Sequence, residues 1–333
     1  YIEEPEGMLV AAQENVLKST FVHEYRVVHT QTTLYCVPST HNLFTKPIDR
    51  AFNRNHCSGL QPGEAIRVLR KTDDGWLHAH AGHSIGWVRM EQTTPPIAVE
   101  KFRVFVHQTP RVVVLKDTHR LDTGAILRWG SHYHRSSASS PQSVMVATPK
   151  GLESQAVKDT QINNNGTTGD TWSTWPLPFT RQNVFKLALS MQGALYGWGG
   201  REGGRDCSRF LLDLFRSFGI QLGRHSTAQS RSGIRQIELK GLSLKDKTAR
   251  IQEAAKRGVV LLYMPGHIML YLGEGPGGPL AISSLSEYAV PTHNASDKVV
   301  RVDKVVVTGL ELGAQTARGS FLQRLTRLAV FGQ

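Results

Sequence analysis

A cysteine and a histidine in this chain have the surroundings of a nucleophile and its base. Cys207 follows a glycine-dense stretch, residues 195–205, and is preceded by Asp206. Because aspartate is a favourable N-cap residue, we expect a helix to begin at Cys207, where the helix dipole and free backbone N–H groups stabilise a thiolate. His267 opens a predicted strand whose alternation places it on the face that also carries Met269. This pairing is typical of acyl-transfer enzymes.

The chemistry expected of such a pair is attack of the thiolate on a carbonyl carbon. The backbone N–H of Cys207 would help to hold the oxyanion, and His267 would protonate the leaving amine before water hydrolyses the acyl-enzyme. Taken singly, a cysteine is more often a buried apolar residue, and a strand histidine is more often structural. The prediction therefore depends on the combination.

The elements expected to position this pair form an α+β domain. The apolar residues after Cys207 follow a helical stripe that Gly219 closes at the C′ position. We predict further helices at residues 180–191 and 247–257, strands at 259–264, 267–272, 280–284 and 298–307, and a helical tail at 320–329. A helix that carries the cysteine, followed by an antiparallel sheet, is the order of a papain-like core.

The N-terminal half has a different pattern of predicted secondary structure. Residues 1–25 are predicted to form an arm with weak helical character. Short β-type runs separated by turn signals then extend to about residue 90, which predicts a small barrel with a long inserted loop at residues 40–58. After a proline-containing linker, a second β-rich unit is predicted, and its first strand is placed at residues 102–106.

Composition limits the classes of function. The net charge is +12, and from residue 177 onward 21 basic side chains stand against 11 acidic ones. This excess favours an anionic partner, although an ordinary solvated basic surface is the alternative. No nucleic-acid-binding motif is present, and no apolar run approaches the roughly 18 residues of a membrane span. Tyr1 in place of an initiator methionine suggests a processed N-terminus. We predict no cofactor.

The remaining cysteines and the histidines leave alternatives open. Cys36 and Cys57 either form a disulfide, which leaves Cys207 free, or remain as two buried thiols. His132 and His134 share a strand face and could bind a metal ion, but the sequence marks no third ligand. We therefore predict no metal site.

Three motifs resemble the NlpC-type cysteine peptidases of the bacterial cell wall: Tyr-Gly-Trp-Gly-Gly with Gly-Arg-Asp-Cys-Ser, Phe-Gly-Ile-Gln-Leu-Gly-Arg-His-Ser-Thr-Ala-Gln, and Gly-His-Ile-Met-Leu-Tyr-Leu-Gly. The resemblance covers residues 177–333. The order of turns and strands in residues 26–92 resembles a bacterial SH3-like domain, and residues 98–165 are predicted to form a second one. The resemblance implies cleavage of γ-D-glutamyl–diamino-acid bonds in peptidoglycan stem peptides, in the periplasm or cell envelope.

The resemblance also implies roles for individual residues. Cys207 corresponds to the nucleophile and His267 to the base, and Tyr196 is similar to the family tyrosine whose hydroxyl lies at the oxyanion site. The third catalytic position falls on Ser283. The positions that line the substrate pocket are Asp206, Ser208 and Ser226.

The chain departs from the family pattern at three positions. Ser283 stands where the family has His, Asn or Gln, and a serine hydroxyl stabilises an imidazolium less well; a water or Glu287 could supplement it. Arg209 replaces a glycine one turn from the thiol. His225 stands where members that bind a free N-terminal amine carry an acidic residue. Two alternatives therefore remain: an envelope protein that binds murein with weakened catalysis, and an amidase or transpeptidase on the same fold.

Overall fold

The computed structural model describes residues 1–121, 124–135, 143–157, 171–292 and 296–332. The chain divides into two compact units. Unit 1 comprises residues 1–177, 198–203 and 217–219, and unit 2 comprises residues 178–197, 204–216 and 220–333. In the described part of the chain, no helix combines the length and apolar character required to cross a membrane.

The described residues of unit 1 form short strands and two α-helices. The strands in its first half are β1 (Ile2–Glu4), β2 (Thr20–Val27), β3 (Thr32–Tyr35), β4 (Asn42–Phe44), β5 (His56–Leu60), β6 (Ala65–Lys71), β7 (Trp76–His80) and β8 (Ile85–Arg89). Those in its second half are β9 (Arg111–Val114), β10 (Thr118–Arg120), β11 (Ile126–Arg128), β12 (His132–His134), β13 (Ser143–Thr148), β14 (Gly151–Ala156) and β15 (Trp172–Trp175). The helices are α1 (Met8–Lys18) and α2 (Val99–His107). A 3-10 helix lies at Met90–Gln92, and residues 198–203 form a kinked segment in which residues 199–202 depart from helical backbone angles.

The first half of unit 1 is built around a six-stranded sheet of order β2-β6-β7-β8-β3-β5. Its alternate side chains form an apolar core that includes Leu34, Ile66, Leu77 and Val88. The second half contains a three-stranded sheet, β12-β9-β15, and the pairs β10-β11 and β13-β14. No closed barrel is found among the described strands, so the two SH3-like barrels are not confirmed. Residues 158–165 of the second predicted domain lie outside the described residues.

The predicted strand at residues 102–106 is wrong, because this segment belongs to α2. Its Val and Phe residues favour strands by propensity, but Phe102, Phe105 and Val106 have helical spacing and pack in one cluster with Val27 and Ala147. Tertiary burial of this stripe outweighs the local β preference.

A disulfide joins Cys36 to Cys57 within unit 1. The disulfide encloses most of residues 40–58, the segment predicted as a long inserted loop. Strand β4 lies within this segment and pairs with β1. Of the two alternatives for these cysteines the structure shows the paired one, and Cys207 is a free, buried thiol.

Unit 2 contains five helices and six strands among the described residues. The helices are α3 (Arg181–Leu189), α4 (Cys207–Arg216), α5 (Ser226–Gln229), α6 (Leu244–Arg257) and α7 (Phe321–Arg324). The strands are β16 (Arg235–Glu238), β17 (Val259–Met264), β18 (His267–Gly275), β19 (Gly278–Val290), β20 (Lys298–Gly309) and β21 (Arg327–Phe331). The sequence predicted an α+β class, and the mixture of helices and strands in this unit is confirmed.

The strands of unit 2 form one antiparallel sheet of order β16-β21-β17-β18-β19-β20. Helix α4 contacts β18 and β19, and α6 contacts β17, β18 and β21. Ile251 and Ala254 of α6 share an apolar cluster with Leu262, Met269 and Leu328 of the sheet. The sheet therefore carries His267 on a central strand that is packed against helices.

The predicted helical tail at residues 320–329 is only partly correct. The helix α7 ends at Arg324, and β21 inserts between β16 and β17. Leu328, Ala329 and Val330 are buried there. A short apolar run has no clear period of its own, so its strand partners decide its conformation. The division into an arm, two SH3-like domains and a catalytic domain at residues 177–333 stays a prediction.

Candidate active site

The helix that carries Cys207 begins as predicted. Asp206 Oδ1 accepts a hydrogen bond from the Arg209 backbone N–H at 2.9 Å, which is the bond of an N-cap to the N3 position. The apolar stripe of α4 is buried throughout. Gly219 has φ 74° beyond the helix end, as expected of a residue that terminates a helix. The start of α4 thus fixes Cys207 at a defined place against the sheet.

The glycine-dense stretch forms a loop whose two ends meet. Within unit 2, Arg205 N donates to Leu195 O at 3.2 Å, and Gly197 N donates to Arg205 O at 3.3 Å. A Cβ on Gly204 would lie 2.6 Å from Gly197 N, so only glycine permits this approach. Because the ends meet, Tyr196 and Cys207 are brought near one another.

The tip of the same loop belongs to unit 1. Trp198 Nε1 donates to Asn53 O at 3.0 Å, and the Trp198 ring packs edge-on against Phe52. A Cβ on Gly59 would lie 2.9 Å from the Cα of Gly200, so backbone packs directly on backbone there. The Trp198 indole therefore anchors residues 198–203.

His267 is held by the residue predicted at the third catalytic position. Its Nε2 lies 3.0 Å from Ser283 Oγ, and both side chains are buried. When Nε2 carries the ring proton and donates it to Ser283, Nδ1 is left with its lone pair available as a base. Glu287, considered as a supplement to Ser283, forms an ion pair with Arg301 at 3.0 Å.

The structure places Cys207 beside the beginning of β18. The backbone of Ile268, the residue after His267, hydrogen-bonds the Cys207 thiol. Burial, followed by the charge of Asp206, raises the pKa of the Cys207 thiol to about 12. Burial, followed by the charge of Arg324, lowers the pKa of His267 to about 4. Both shifts favour the neutral forms, so burial opposes the thiolate that the helix start was expected to stabilise.

Tyr196 lies close to both Asp206 and Cys207. Burial raises the pKa of the Tyr196 phenol, and the charge of Asp206 raises it further. Ser286 hydrogen-bonds the same hydroxyl and opposes the rise. The phenol therefore stays protonated, as an oxyanion donor must be.

The sequence did not reveal Arg224, which organises the polar side of the site. Its Nη1 donates to Asp206 Oδ1 at 3.0 Å and to Ser208 Oγ at 2.9 Å, and its Nη2 lies 2.5 Å from Asp206 Oδ2. Burial opposes ionisation of Asp206, but the charge and hydrogen bonds of Arg224 outweigh it and hold the pKa of this carboxyl below its usual value. Arg224 stands inside the Gly-Arg-His-Ser part of a motif already quoted, and that position was the available signal.

Asp206 and Ser208 therefore use their side chains within this cluster. Ser208 Oγ donates to Asp206 Oδ1 at 3.0 Å. Ser226 opens α5, and this helix is tied to α4 because Gln229 Nε2 donates to Ser208 O at 2.7 Å. The predicted role of these residues in lining a substrate pocket stays a prediction.

A second ion cluster lies one turn along α4. Arg205 Nε donates to Asp213 Oδ2 at 2.8 Å, and Arg209 Nε donates to Asp213 Oδ1 at 2.9 Å. All three side chains are almost completely buried. Arg209, whose cation was expected near the thiol, is thus engaged with an aspartate of its own helix.

His132, considered from the sequence as a metal ligand, has other partners in the structure. His132 Nδ1 accepts from Arg111 Nε at 2.9 Å, and its ring stacks on Trp175. Burial and the charge of Arg224 lower the pKa of His225, which favours the neutral form of the side chain beside Ser226. Within the described ranges, no group of three or more His, Cys, Asp or Glu side chains is placed to hold a metal ion.

Known proteins share the fold and the site region. The NlpC/P60 family profile matches residues 193–294, which include Cys207, His267 and Ser283. An NlpC/P60 endopeptidase from Photobacterium damselae subsp. piscicida is similar over 97% of this chain and 78% of its own, with TM-score 0.80 and 16% identity. An NlpC/P60 family protein from Bacillus cereus ATCC 10987 is similar over 93% and 100%, with TM-score 0.55 and 16% identity. No curated protein shows significant similarity to the chain.

Proposed function

From the premise that the chain carries an NlpC/P60 family domain over residues 193–294, we propose that it is a cysteine peptidase that hydrolyses peptidoglycan stem peptides at the γ-D-glutamyl–diamino-acid bond. One observation carries the proposal. The free thiol of Cys207 is hydrogen-bonded by the backbone of Ile268, directly after a histidine that is held by Ser283. This juxtaposition supplies a nucleophile, a base and a group that orients the base.

The proposed reaction begins from the neutral pair. His267 Nδ1 takes the thiol proton as Cys207 Sγ attacks the carbonyl carbon, so charge separation occurs on the way to the tetrahedral intermediate. The oxyanion is held by the Cys207 backbone N–H and the Tyr196 hydroxyl. The protonated His267 then gives its proton to the leaving amine, which leaves a thioester. Water, deprotonated by His267, releases the acyl group and restores the thiol.

Two features of the chain support action in the cell envelope. The disulfide between Cys36 and Cys57 is of the kind that persists in oxidising compartments. The basic excess from residue 177 onward attracts anionic polymers such as the carboxylate-bearing stem peptides of peptidoglycan. Both features fit an enzyme of the periplasm or cell envelope.

The test is mass spectrometry of defined tripeptide and tetrapeptide muropeptides, with free and with blocked N-termini, after incubation with the full chain. We expect a fragment pair from cleavage between D-glutamate and the diamino acid. Cys207→Ala should release nothing and keep the wild-type circular dichroism spectrum, whereas Arg257→Gln, on the exposed face of α6, should cleave normally. Equal release by wild type and Cys207→Ala would overturn the proposal.

One observation favours a second candidate, a protein that binds murein with weakened catalysis. A serine at the third position stabilises an imidazolium less well than an imidazole or an amide does. If this candidate is correct, the chain sediments with insoluble peptidoglycan and Cys207→Ala sediments equally, while neither releases fragments.

A transpeptidase is distinguished in the muropeptide assay by adding an amine acceptor. The acceptor would then be found joined to the acyl fragment in the product.

A further inference from the structure

The strand pair β19-β20 contains a β-bulge. Leu285 pairs with Lys304 and Glu287 pairs with Arg301, so the single residue Ser286 faces two residues, Val302 and Asp303. Two residues opposite one define a bulge, which bends the strand and redirects its groups. The bulge lies in the sheet of unit 2.

Asp303 adopts a backbone conformation that few residues other than glycine adopt. Its φ is 48°, in the left-handed region. A side chain that bears Cβ is strained there, although Asp and Asn tolerate the region better than β-branched residues do. Strain of this kind persists only where surrounding contacts require it, and it concentrates at functional sites.

The outer edge of the bulge pairs with the segment that leads into the glycine-dense loop. Gly193 N donates to Val305 O at 2.8 Å, and Val305 N donates to Ala194 O at 2.8 Å. Tyr196 N then donates to Asp303 O at 2.9 Å, which is the carbonyl of the left-handed residue. The backbone of Tyr196 is thus fixed by the bulge.

The other end of Tyr196 is fixed by the residue across the bulge. Ser286 hydrogen-bonds the Tyr196 hydroxyl. Either hydroxyl can be the donor of this bond. A tyrosine hydroxyl has one proton. When its oxygen accepts from Ser286, that proton stays available for another acceptor.

We propose that the bulge formed by Ser286 and Asp303 positions Tyr196, so that the Tyr196 hydroxyl donates to the oxyanion formed on attack by Cys207. Ser286 and Asp303 are positioning residues, because they act through Tyr196 and touch no reacting atom. The inference rests on the proposed function. Because hydrogen bonds fix both the amide and the hydroxyl of Tyr196, its ring is limited to one direction. A donor that is already oriented costs no reorganisation during the reaction.

The first test is a double-mutant cycle on cleavage of a muropeptide tripeptide. Tyr196→Phe should lower kcat about a hundredfold with KM changed less than twofold, the loss typical of one oxyanion donor. Ser286→Ala should lower kcat about tenfold. The double variant should be no slower than Tyr196→Phe alone, because Ser286 acts only through the hydroxyl. Losses that multiply, or a change confined to KM, would overturn the inference.

The second test addresses Asp303 and does not depend on turnover. Asp303→Gly accepts φ 48° without strain and should keep both kcat and slow hydrogen exchange at the Tyr196 amide. Asp303→Val disfavours this conformation and should accelerate that exchange and lower kcat at least tenfold. Lys304→Val places the same residue one position later and should change neither. Unchanged exchange in Asp303→Val would overturn the inference.

The two proposals fail in different ways. If Cys207→Ala retains cleavage, the proposed function is wrong. If Cys207→Ala is inactive while Tyr196→Phe and Ser286→Ala keep the wild-type kcat, the proposed function is supported and the positioning role of the bulge is wrong.

Discussion

Ser283 Oγ lies 3.0 Å from His267 Nε2, across neighbouring strands of the unit 2 sheet. Leu270 pairs with Ile282, and continuing that register places Ser283 opposite Met269, on the face that carries His267. Ser283 is completely buried. The serine is therefore a fixed diagonal neighbour of the histidine, and it orients the imidazole without contributing a charge.

Ser283→Ala should lower kcat about tenfold, because one neutral hydrogen bond contributes roughly 1 kcal/mol and its loss frees the imidazole to rotate. KM should change less than twofold. The matched control is Ser284→Ala, an equally buried serine whose hydroxyl donates to Arg205 O instead. A kcat equal to that of wild type in Ser283→Ala would show that the hydrogen bond does not support catalysis.

The acidic limb of the pH profile should lie below the usual histidine range. Since burial and Arg324 lower the pKa of His267 to about 4, the base stays unprotonated down to that region. Activity should then hold as the pH falls below 6.5 and be half lost only near pH 4. The measurement is kcat/KM against pH, which reports the free enzyme. A limb at or above pH 6.5 would contradict the prediction.

Removing the cation of Arg324 should shift that limb to higher pH. A neighbouring positive charge disfavours the imidazolium, so Arg324→Gln raises the pKa of His267. Arg257→Gln removes the same charge at an exposed position of α6 and should leave the limb in place. If both variants shift the limb equally, the net charge of the protein, and not the neighbouring Arg324, sets the pKa of His267.

Arg224→Met should destabilise unit 2 by about 3–5 kcal/mol, because it leaves the buried Asp206 carboxylate without its counter-ion. Arg224→Met/Asp206→Asn should recover part of this loss. Hydrogen exchange of α4 amides is the suitable measurement, since all six tryptophans lie in unit 1. The exposed pair of Arg257 and Glu253 gives the control, and Arg257→Met should cost no more than about 1 kcal/mol.

The disulfide should stabilise unit 1 by about 3 kcal/mol, since Cys36 and Cys57 are separated by 21 positions and their bond restricts the unfolded chain. Cys36→Ser/Cys57→Ser should therefore lower the urea midpoint that is read from tryptophan fluorescence. Reductant should lower the wild-type midpoint to the same value and leave the double variant unchanged. A midpoint insensitive to both changes would contradict the prediction.

Local rules determined much of the site from sequence alone. Asp206 caps a helix because its carboxylate reaches the amide three residues on, and both partners lie within one turn. The strand at Val259–Met264 matches its predicted bounds, because a short β-branched and leucine-rich run next to Pro265 and Gly266 carries its own signal. Where a structure depends on neighbours in sequence, the sequence is sufficient.

The tertiary structure decided what depends on partners distant in the chain. Residues 102–106 are helical because Phe105 packs beside Val27, and β21 is a strand because β16 and β17 flank it. Arg224 meets Asp206 across 18 positions, and only their shared burial makes that pairing strong. Burial likewise opposes the thiolate expected at Cys207 and lowers the pKa of His267. Desolvation is a property of the folded surroundings, and no spacing of residues along a chain encodes it directly.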